Sequence, residues 1–279
     1  MTQPRTTPSA TTADWNPTQY RKFADERAQP FHDMLGLVEP APFARAVDLG
    51  CGPGELTALA ARTLHVAGMV GIDNSPAMLA AAAQHATGAV RFEAGDIGGW
   101  CEPGAIDLVI AGASLQWVPD HAAVLQRWVA SLAPGGQLAV QVPANAYMPS
   151  HLVADELAHT EPYLSAFEGA PPPDPVAEHV LQPEQYAQIL FDLGCERQHV
   201  RLQVYPHVLA NTRDIVQWVR GTTLTRFQKR LPADVFERFV ADYEAELLAR
   251  IGERSPCFFP FRRILFWGRT AGSTPMAVR

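Results

Sequence analysis

The first half of the chain alternates short apolar runs with segments of helical periodicity. The runs fall at residues 44–49, 69–72, 90–94, 106–110 and 137–142. They are too short for helices and most are bounded by turns rich in Gly, Pro, Asp or Asn, so they predict strands. Helical stretches between them predict parallel pairing, because a parallel neighbour is reached only through a crossover. Residues 20–37 carry Phe23, Phe31 and Leu35 at helical spacing, and Ser75-Pro76 reads as an N-cap followed by a proline at the first helical position. Beyond residue 143 the pattern changes. A helix is expected around 151–158, then a loop over Gly169-Ala170-Pro171-Pro172-Pro173-Asp174-Pro175, where proline removes donors and fixes φ. A helix over 183–193 stops at Gly194, and residues 196–205 alternate as a sixth strand. Helices follow over 212–220, capped by Thr212, and over 232–251, and residues 262–268 form a last strand. The expected organisation is a disordered tail at 1–13, a core with its leading helix at 14–143, a lid with further helices and strands at 144–270, and a tail at 271–279.

Chemistry enters at the end of the first run. Asp48-Leu49-Gly50-Cys51-Gly52-Pro53-Gly54 sets three glycines at alternate positions directly after a strand, as a turn requires when backbone must approach a ligand. A dinucleotide site places its third glycine three residues after the second. Glu55 stands there instead. The pattern D-x-G-x-G-x-G is that of the Rossmann-like class of S-adenosylmethionine (SAM)-dependent methyltransferases, while the glycine spacing alone also fits a plain strand-to-helix turn. Gly50 and Gly52 let the amino-acid half of SAM lie against the main chain, and Asp48 offers acceptor oxygens to its ammonium group. Asp73 closes the second run and is placed for a bidentate grip on the ribose hydroxyls, with Asn74 beside it. Met78 fits either the adenine or the core. After the third run come Asp96 and Ile97, the positions at which this class accepts from the adenine amino group and covers the ring; a solvated turn aspartate has the same local sequence. Ala113 and Gln116, in the loop after the fourth run, complete the candidate cofactor set. Ligands of open α/β sheets bind at these strand ends.

A wider likeness rests on Trp15-Asn16-Pro17 with Tyr20, Phe23, Arg27 and Pro30, on the glycine motif, and on Gly71-Ile72-Asp73 and Ser75-Pro76-Ala77-Met78-Leu79. It continues through Ala113-Ser114-Leu115-Gln116-Trp117-Val118-Pro119-Asp120-His121, Gln141-Val142-Pro143, Trp218-Val219 and Phe259-Pro260-Phe261-Arg262-Arg263. Over residues 14–270 the chain resembles the trans-aconitate 2-methyltransferase family. The likeness implies an α/β fold of the Rossmann-like class I SAM-dependent methyltransferases: a seven-stranded, mostly parallel sheet with an antiparallel last strand and a helical lid. It implies methylation of a carboxylate on a small polycarboxylic acid, with S-adenosylhomocysteine as the other product. The leading helix of related enzymes lies over the SAM pocket, which would set Tyr20 and Arg27 near the methionine end. Arg27 beside Asp25 and Glu26 also fits a solvated face. Where the family usually reads Leu-Arg-Pro, this chain has Leu224-Thr225-Arg226, and the proline-rich loop and the N-terminal segment lie outside the usual pattern.

Composition narrows the partners. The 279 residues, 47% hydrophobic, suffice for a full core. A formal charge of −7 and a pI near 5.7 argue against nucleic acid, which needs a basic face. No apolar stretch has membrane-spanning length. Cys51, Cys101, Cys195 and Cys257 have neither C-x-x-C nor metal-ligand spacing, and read as reduced thiols of a cytoplasmic protein without a metal. A carboxylate is already ionised at neutral pH, so transfer to it calls for positioning and desolvation rather than a general base, and no catalytic acid or base is singled out. Holding the acceptor's other carboxylates suits guanidinium forks. Arg220, Arg226, Arg262 and Arg263 are the candidates because they lie in the lid-like and C-terminal segments that match the family, although any one of them taken singly fits a solvated surface better, and Trp117 joins them on the acceptor side. A thioester-linked or secondary-metabolite acid as acceptor, and a SAM-binding protein without turnover, remain alternatives.

Overall fold

A computed structural model describes residues 24–272, with side chains from residue 28 onward. Seven strands form one sheet: β1 (Arg45–Leu49), β2 (Gly68–Asp73), β3 (Val90–Ala94), β4 (Ile106–Gly112), β5 (Leu132–Pro143), β6 (Cys195–Leu209) and β7 (Cys257–Thr270). Their order is β3-β2-β1-β4-β5-β7-β6. The first five pair in parallel, and β7 lies antiparallel to both β5 and β6. The mostly parallel sheet with an inserted antiparallel last strand is therefore as expected.

The central strands are apolar throughout because both of their faces are covered. On one face, Ala46, Leu108, Ala139 and Leu265 pack against Phe31, Met34 and Leu35 of α1 (Ala24–Leu35) and Ala60 of α2 (Glu55–Thr63). Their neighbours Val47, Val109, Val140 and Phe266 point the other way, as strand periodicity requires. There they meet Val124, Leu125 and Trp128 of α4 (His121–Ala130) and Tyr186 and Leu190 of α8 (Pro183–Asp192). Helix α3 (Pro76–Ala82) starts as read from the sequence: the Met78 N–H donates to Ser75 Oγ, and Pro76 occupies the first turn.

The lid has a core of its own. Helices α5 (Pro149–Ala158), α6 (Tyr163–Ala166), α9 (Arg213–Arg220), α10 (Thr225–Gln228) and α11 (Ala233–Ile251) bury Trp218, Phe227, Phe239 and Tyr243 against Tyr205, Phe259 and Phe261 of the β6–β7 hairpin. Six residue pairs of that hairpin, Val204↔Arg262 to Leu209↔Cys257, extend past the end of β5. They project about 20 Å beyond the sheet. Both strands are longer than the sequence predicts, because Pro206 faces Pro260. Two prolines can oppose each other only at a non-hydrogen-bonded pair, where neither amide is needed, so the hairpin passes through residues that read as strand breakers. A second difference concerns Thr212. Its hydroxyl does not cap α9 but donates to Gly252 O (3.1 Å) and accepts from Arg254 N (2.9 Å). Asn211 Oδ1 accepts from Asp214 N in its place.

Between β5 and β6 the fold depends on buried aromatic contact. Phe266 stacks on Tyr186 with ring centroids 4.5 Å apart, whereas Phe258, on the projecting part of the same strand, is 61% exposed. Phe266→Ala is expected to destabilise the protein by about 3–5 kcal/mol, and Phe258→Ala by less than about 0.5 kcal/mol, as measured by guanidinium denaturation midpoints.

Candidate active site

The strand order reverses at β1, which has β2 on one side and β4 on the other. Crevices of this kind open at the carboxyl ends of the strands. Here the crevice is bordered by the glycine loop. Gly50 (φ 81°) donates its N–H to Ile72 O (2.7 Å), and a Cβ on it would fall 2.2 Å from the Cβ of Ser114. Gly54 (φ 82°) is equally closed in, against Phe92 and Ala82. Gly52 (φ 55°) differs: a Cβ there would meet nothing within 4 Å. The outer two glycines serve packing, and the middle one leaves backbone exposed to open space.

Asp73 ties the two sides of the crevice together. Its Oδ2 accepts from Gly52 N (2.9 Å) and its Oδ1 from Ser75 N (2.8 Å). Each oxygen keeps a lone pair for a hydroxyl. Asp48 lies behind the loop, buried, and accepts from Thr57 Oγ1 at 2.6 Å. Burial pushes its carboxyl up to about 7; the Thr57 bond opposes the shift, and the charge of Asp73 adds to it. Asn74 is exposed and Met78 buried. Asp96 is exposed and accepts from Gly98 N (3.0 Å), the geometry of an Asx turn, and half-buried Ile97 follows it. Tyr20 and the side chain of Arg27 lie outside the described residues.

The loop after β4 begins with Ala113 in the left-handed region, φ 58°. A non-glycine residue there costs about 1–2 kcal/mol. It is held by Ala113 N donating to Gln141 O (2.9 Å) and by Gln116 Nε2 donating to Ala113 O (2.6 Å). That bond orients the Gln116 amide and leaves its Oε1 buried without a partner among the described residues.

Ala113, Gln116 and Trp117 form one wall of a cavity of about 100 Å³ whose other walls come from the lid and the hairpin. Two arginines reach it. Arg226 is buried, stacks on Phe227 (4.4 Å) and gives Nη2 to Asp155 (3.2 Å), while its Nε and Nη1 have no partner among the described residues. Burial lowers its pKa, against the charges of Asp174 and Asp155, which hold it protonated. Arg263 is also buried and donates from Nη1 to Gln141 Oε1 (2.9 Å). The other two candidate arginines are elsewhere. Arg262 is adjacent to Arg263 on β7, so strand alternation sends it to the opposite face, where it stacks on Tyr147 (4.7 Å). Arg220 pairs with Glu237 and lies over Phe236.

Residues 46–136 match a family described as a methyltransferase domain. The trans-aconitate 2-methyltransferase of Mycobacterium sp. (strain KMS) is 38% identical over 262 residues, covering 92% of this chain and 99% of that protein. The chain belongs to the trans-aconitate 2-methyltransferase family. The member from Variovorax paradoxus (strain S110) is 40% identical over 257 residues, covering 92% of this chain and 96% of its own. Among solved structures, the YcgJ protein of Bacillus subtilis superposes with a TM-score of 0.55 at 20% identity, covering 87% of this chain and 100% of that one, a likeness of fold alone.

As a trans-aconitate 2-methyltransferase family member, the protein is a SAM-dependent methyltransferase. The crevice fits that cofactor: the open space at Gly52, the Asp73 carboxylate and the orphaned Gln116 Oε1 present what a ligand with hydroxyl and amino donors needs. The sequence reading gives no site role to Thr57, Gln141, His151, Asp174 or Thr223. A glutamine inside the apolar run 137–142 was a usable signal for Gln141. The lid residues left none, being far apart in the chain.

The buried Asp48 gives a pH test. Its folded pKa, about 7, exceeds its ordinary value of 3.8, so the native state holds the proton more tightly and this group's contribution to stability falls as pH rises between those values. In the absence of SAM, Asp48→Asn should gain stability over the wild type from pH 4 to pH 8, by up to about 4 kcal/mol. Parallel pH–stability curves for the two proteins would contradict the assignment.

Proposed function

We propose that this protein transfers a methyl group from SAM to a carboxylate of trans-aconitate or a closely similar small polycarboxylic acid. The observation that carries the reading is the convergence of two buried guanidinium groups, Arg226 and Arg263, on one small cavity beside the loop that follows β4. Guanidinium is the group best suited to a carboxylate in a desolvated setting. The relatives named for trans-aconitate match over nearly the whole chain, which supports the same acceptor here.

In this reading Gly52 lies along the amino-acid half of the cofactor and Gln116 accepts from its ammonium, while Gly50 and the buried Asp48, expected from the sequence to touch the cofactor, support the loop from behind. Asp73 takes the ribose hydroxyls and Asp96 with Ile97 the adenine. SAM, when bound, supplies an electrophilic methyl group for an ionised carboxylate oxygen. The protein's contribution is to orient and dry that oxygen. Arg226 and Arg263 hold the remaining carboxylates, and Trp117 covers the rim of the cavity. His151, the titratable group on the wall besides the acids and arginines, is lowered by burial to about 4 and stays neutral. No base is needed, because the nucleophile is already charged. The cysteines are free thiols and no described helix is long and apolar enough to cross a membrane; the thiols support a cytoplasmic setting.

A second cavity, about 240 Å³, adjoins the first and shares His151 and Asp174 with it. It favours, as a second reading, a longer acceptor such as a thioester-linked acid. Labelled SAM incubated with di- and tricarboxylates and with a malonyl thioester distinguishes the two. Base-labile methyl ester on trans-aconitate is expected, and its absence from every free acid would overturn the first reading.

Two variants test the residue roles. Asp73→Ala should weaken SAM binding at least about tenfold by calorimetry, the loss expected for hydrogen bonds to a charged group. Arg226→Ala should raise the acceptor KM by about 10- to 100-fold while leaving SAM affinity unchanged.

A further inference from the structure

The lid side of the cavity holds a hydrogen-bond chain whose direction is set by burial. His151 and Thr223 both line the cavity, and His151 Nε2 lies 3.0 Å from Thr223 Oγ1. On its far side, His151 Nδ1 lies 3.2 Å from Ser150 Oγ. Which way the protons point follows from Ser150. That residue is buried, and its hydroxyl has no other hydrogen-bond partner among the described residues. A buried hydroxyl proton needs an acceptor. Ser150 therefore donates to Nδ1, which places the imidazole proton on Nε2, and Nε2–H donates to Thr223 Oγ1. The Thr223 proton is then left pointing away from His151, with no acceptor among the described residues. Neighbouring Thr222 differs, since its hydroxyl is within reach of the Trp218 and Val219 carbonyls of α9.

We propose that Thr223 is a committed hydrogen-bond donor to a carboxylate of the acceptor, and that His151 and Ser150 are positioning residues that fix its polarity. The proposal rests on the carboxylate reading above and adds a neutral third donor to Arg226 and Arg263. Its chemical logic is discrimination. A threonine hydroxyl free to rotate offers either a lone pair or a proton, whereas one that already accepts from Nε2–H offers the proton toward an anion. The neutral state of the buried imidazole supports this, because a single ring proton gives the chain one direction. Asp174, on the same wall, accepts from Val176 N at the start of α7 (Pro175–His179); its charge acts on both Arg226 and His151, opposing the effect of burial on each, and it makes no hydrogen bond to this hydrogen-bond chain among the described residues.

The test is a double-mutant cycle read by calorimetry, titrating trans-aconitate into the complex of the enzyme with S-adenosylhomocysteine, with acceptor KM measured in parallel. Thr223→Val should weaken acceptor binding about tenfold and Thr223→Ser should restore it to within about twofold, with S-adenosylhomocysteine affinity unchanged in both. His151→Phe should cost about the same as Thr223→Val. The two together should cost no more than either alone, since both remove one directed donor. Should His151→Phe fail to fold, Ser150→Ala carries the same cycle, with an expected loss of about threefold that vanishes in the Thr223→Val background. Acceptor binding that survives Thr223→Val, or losses that add in whichever cycle is read, would overturn the proposal. Failure of the carboxylate reading is distinguishable, because the wild-type complex would then bind no acid at all.

Discussion

The pairing of β7 with β5 on one side and β6 on the other is the constraint on which the cavity proposed for the acceptor depends. Through it Arg263, opposite Pro143, reaches diagonally to Gln141, which pairs with Leu265, so that two positions far apart in the chain meet through their side chains. The same pairing carries the hairpin past the end of β5, and on the projecting part Tyr205, Phe259 and Phe261 become the floor on which the lid helices assemble. In the proposed reading the donor lies at the ends of β1, β2 and β4, and the continuation of the sheet in β6 and β7 forms a wall of the cavity assigned to the acceptor. One sheet would then fix both halves of the reaction relative to each other, which matters because methyl transfer is sensitive to alignment.

Several charged groups of the site, Asp48, Arg226 and Arg263 among them, have been taken out of water. Asp48 is buried with a single hydroxyl partner, and its carboxyl titrates near neutrality. Arg226 is buried with part of its donor set unfilled, its charge maintained by Asp155 and Asp174. Buried groups of this kind cost stability in the empty protein and repay it when an oppositely charged or hydrogen-bonding ligand arrives. Proteins tolerate such costs mainly at binding sites. The left-handed backbone at Ala113 is a further local cost placed at the same spot, between Gln116 and the end of β4.

How much of this could be read from the chain varies with distance along it. The glycine turn, Asp73 and the Ser75-Pro76 helix start are local features: each lies within a few residues of the strand that positions it, and steric rules for glycine, proline and caps operate on that scale. Pro206 and Pro260 misled the reading of strand length because the effect of a proline depends on the residue opposite, which only pairing reveals. The adjacent arginines Arg262 and Arg263 show the same limit. Strand alternation says that they point to opposite faces, but which face holds the cavity follows from the packing of α1 and the lid. Thr212 reads as a cap by type and position, yet its hydroxyl is taken by Gly252 and Arg254, brought near by the return of the chain after α11.

By itself the sequence determined the parallel α/β core and the class of the methyl donor, because these rest on spacing within single strand-turn-helix units, and it pointed to the family through a resemblance carried by motifs spread over residues 14–270. Tertiary structure decided the cavity proposed for the acceptor. Arg226, Arg263, His151, Asp174 and Thr223 come from separate elements, and their convergence is a property of how the lid core packs on the hairpin. Hydrophobic burial, which drives that packing, is non-directional and leaves no local motif for a polar residue carried along with it.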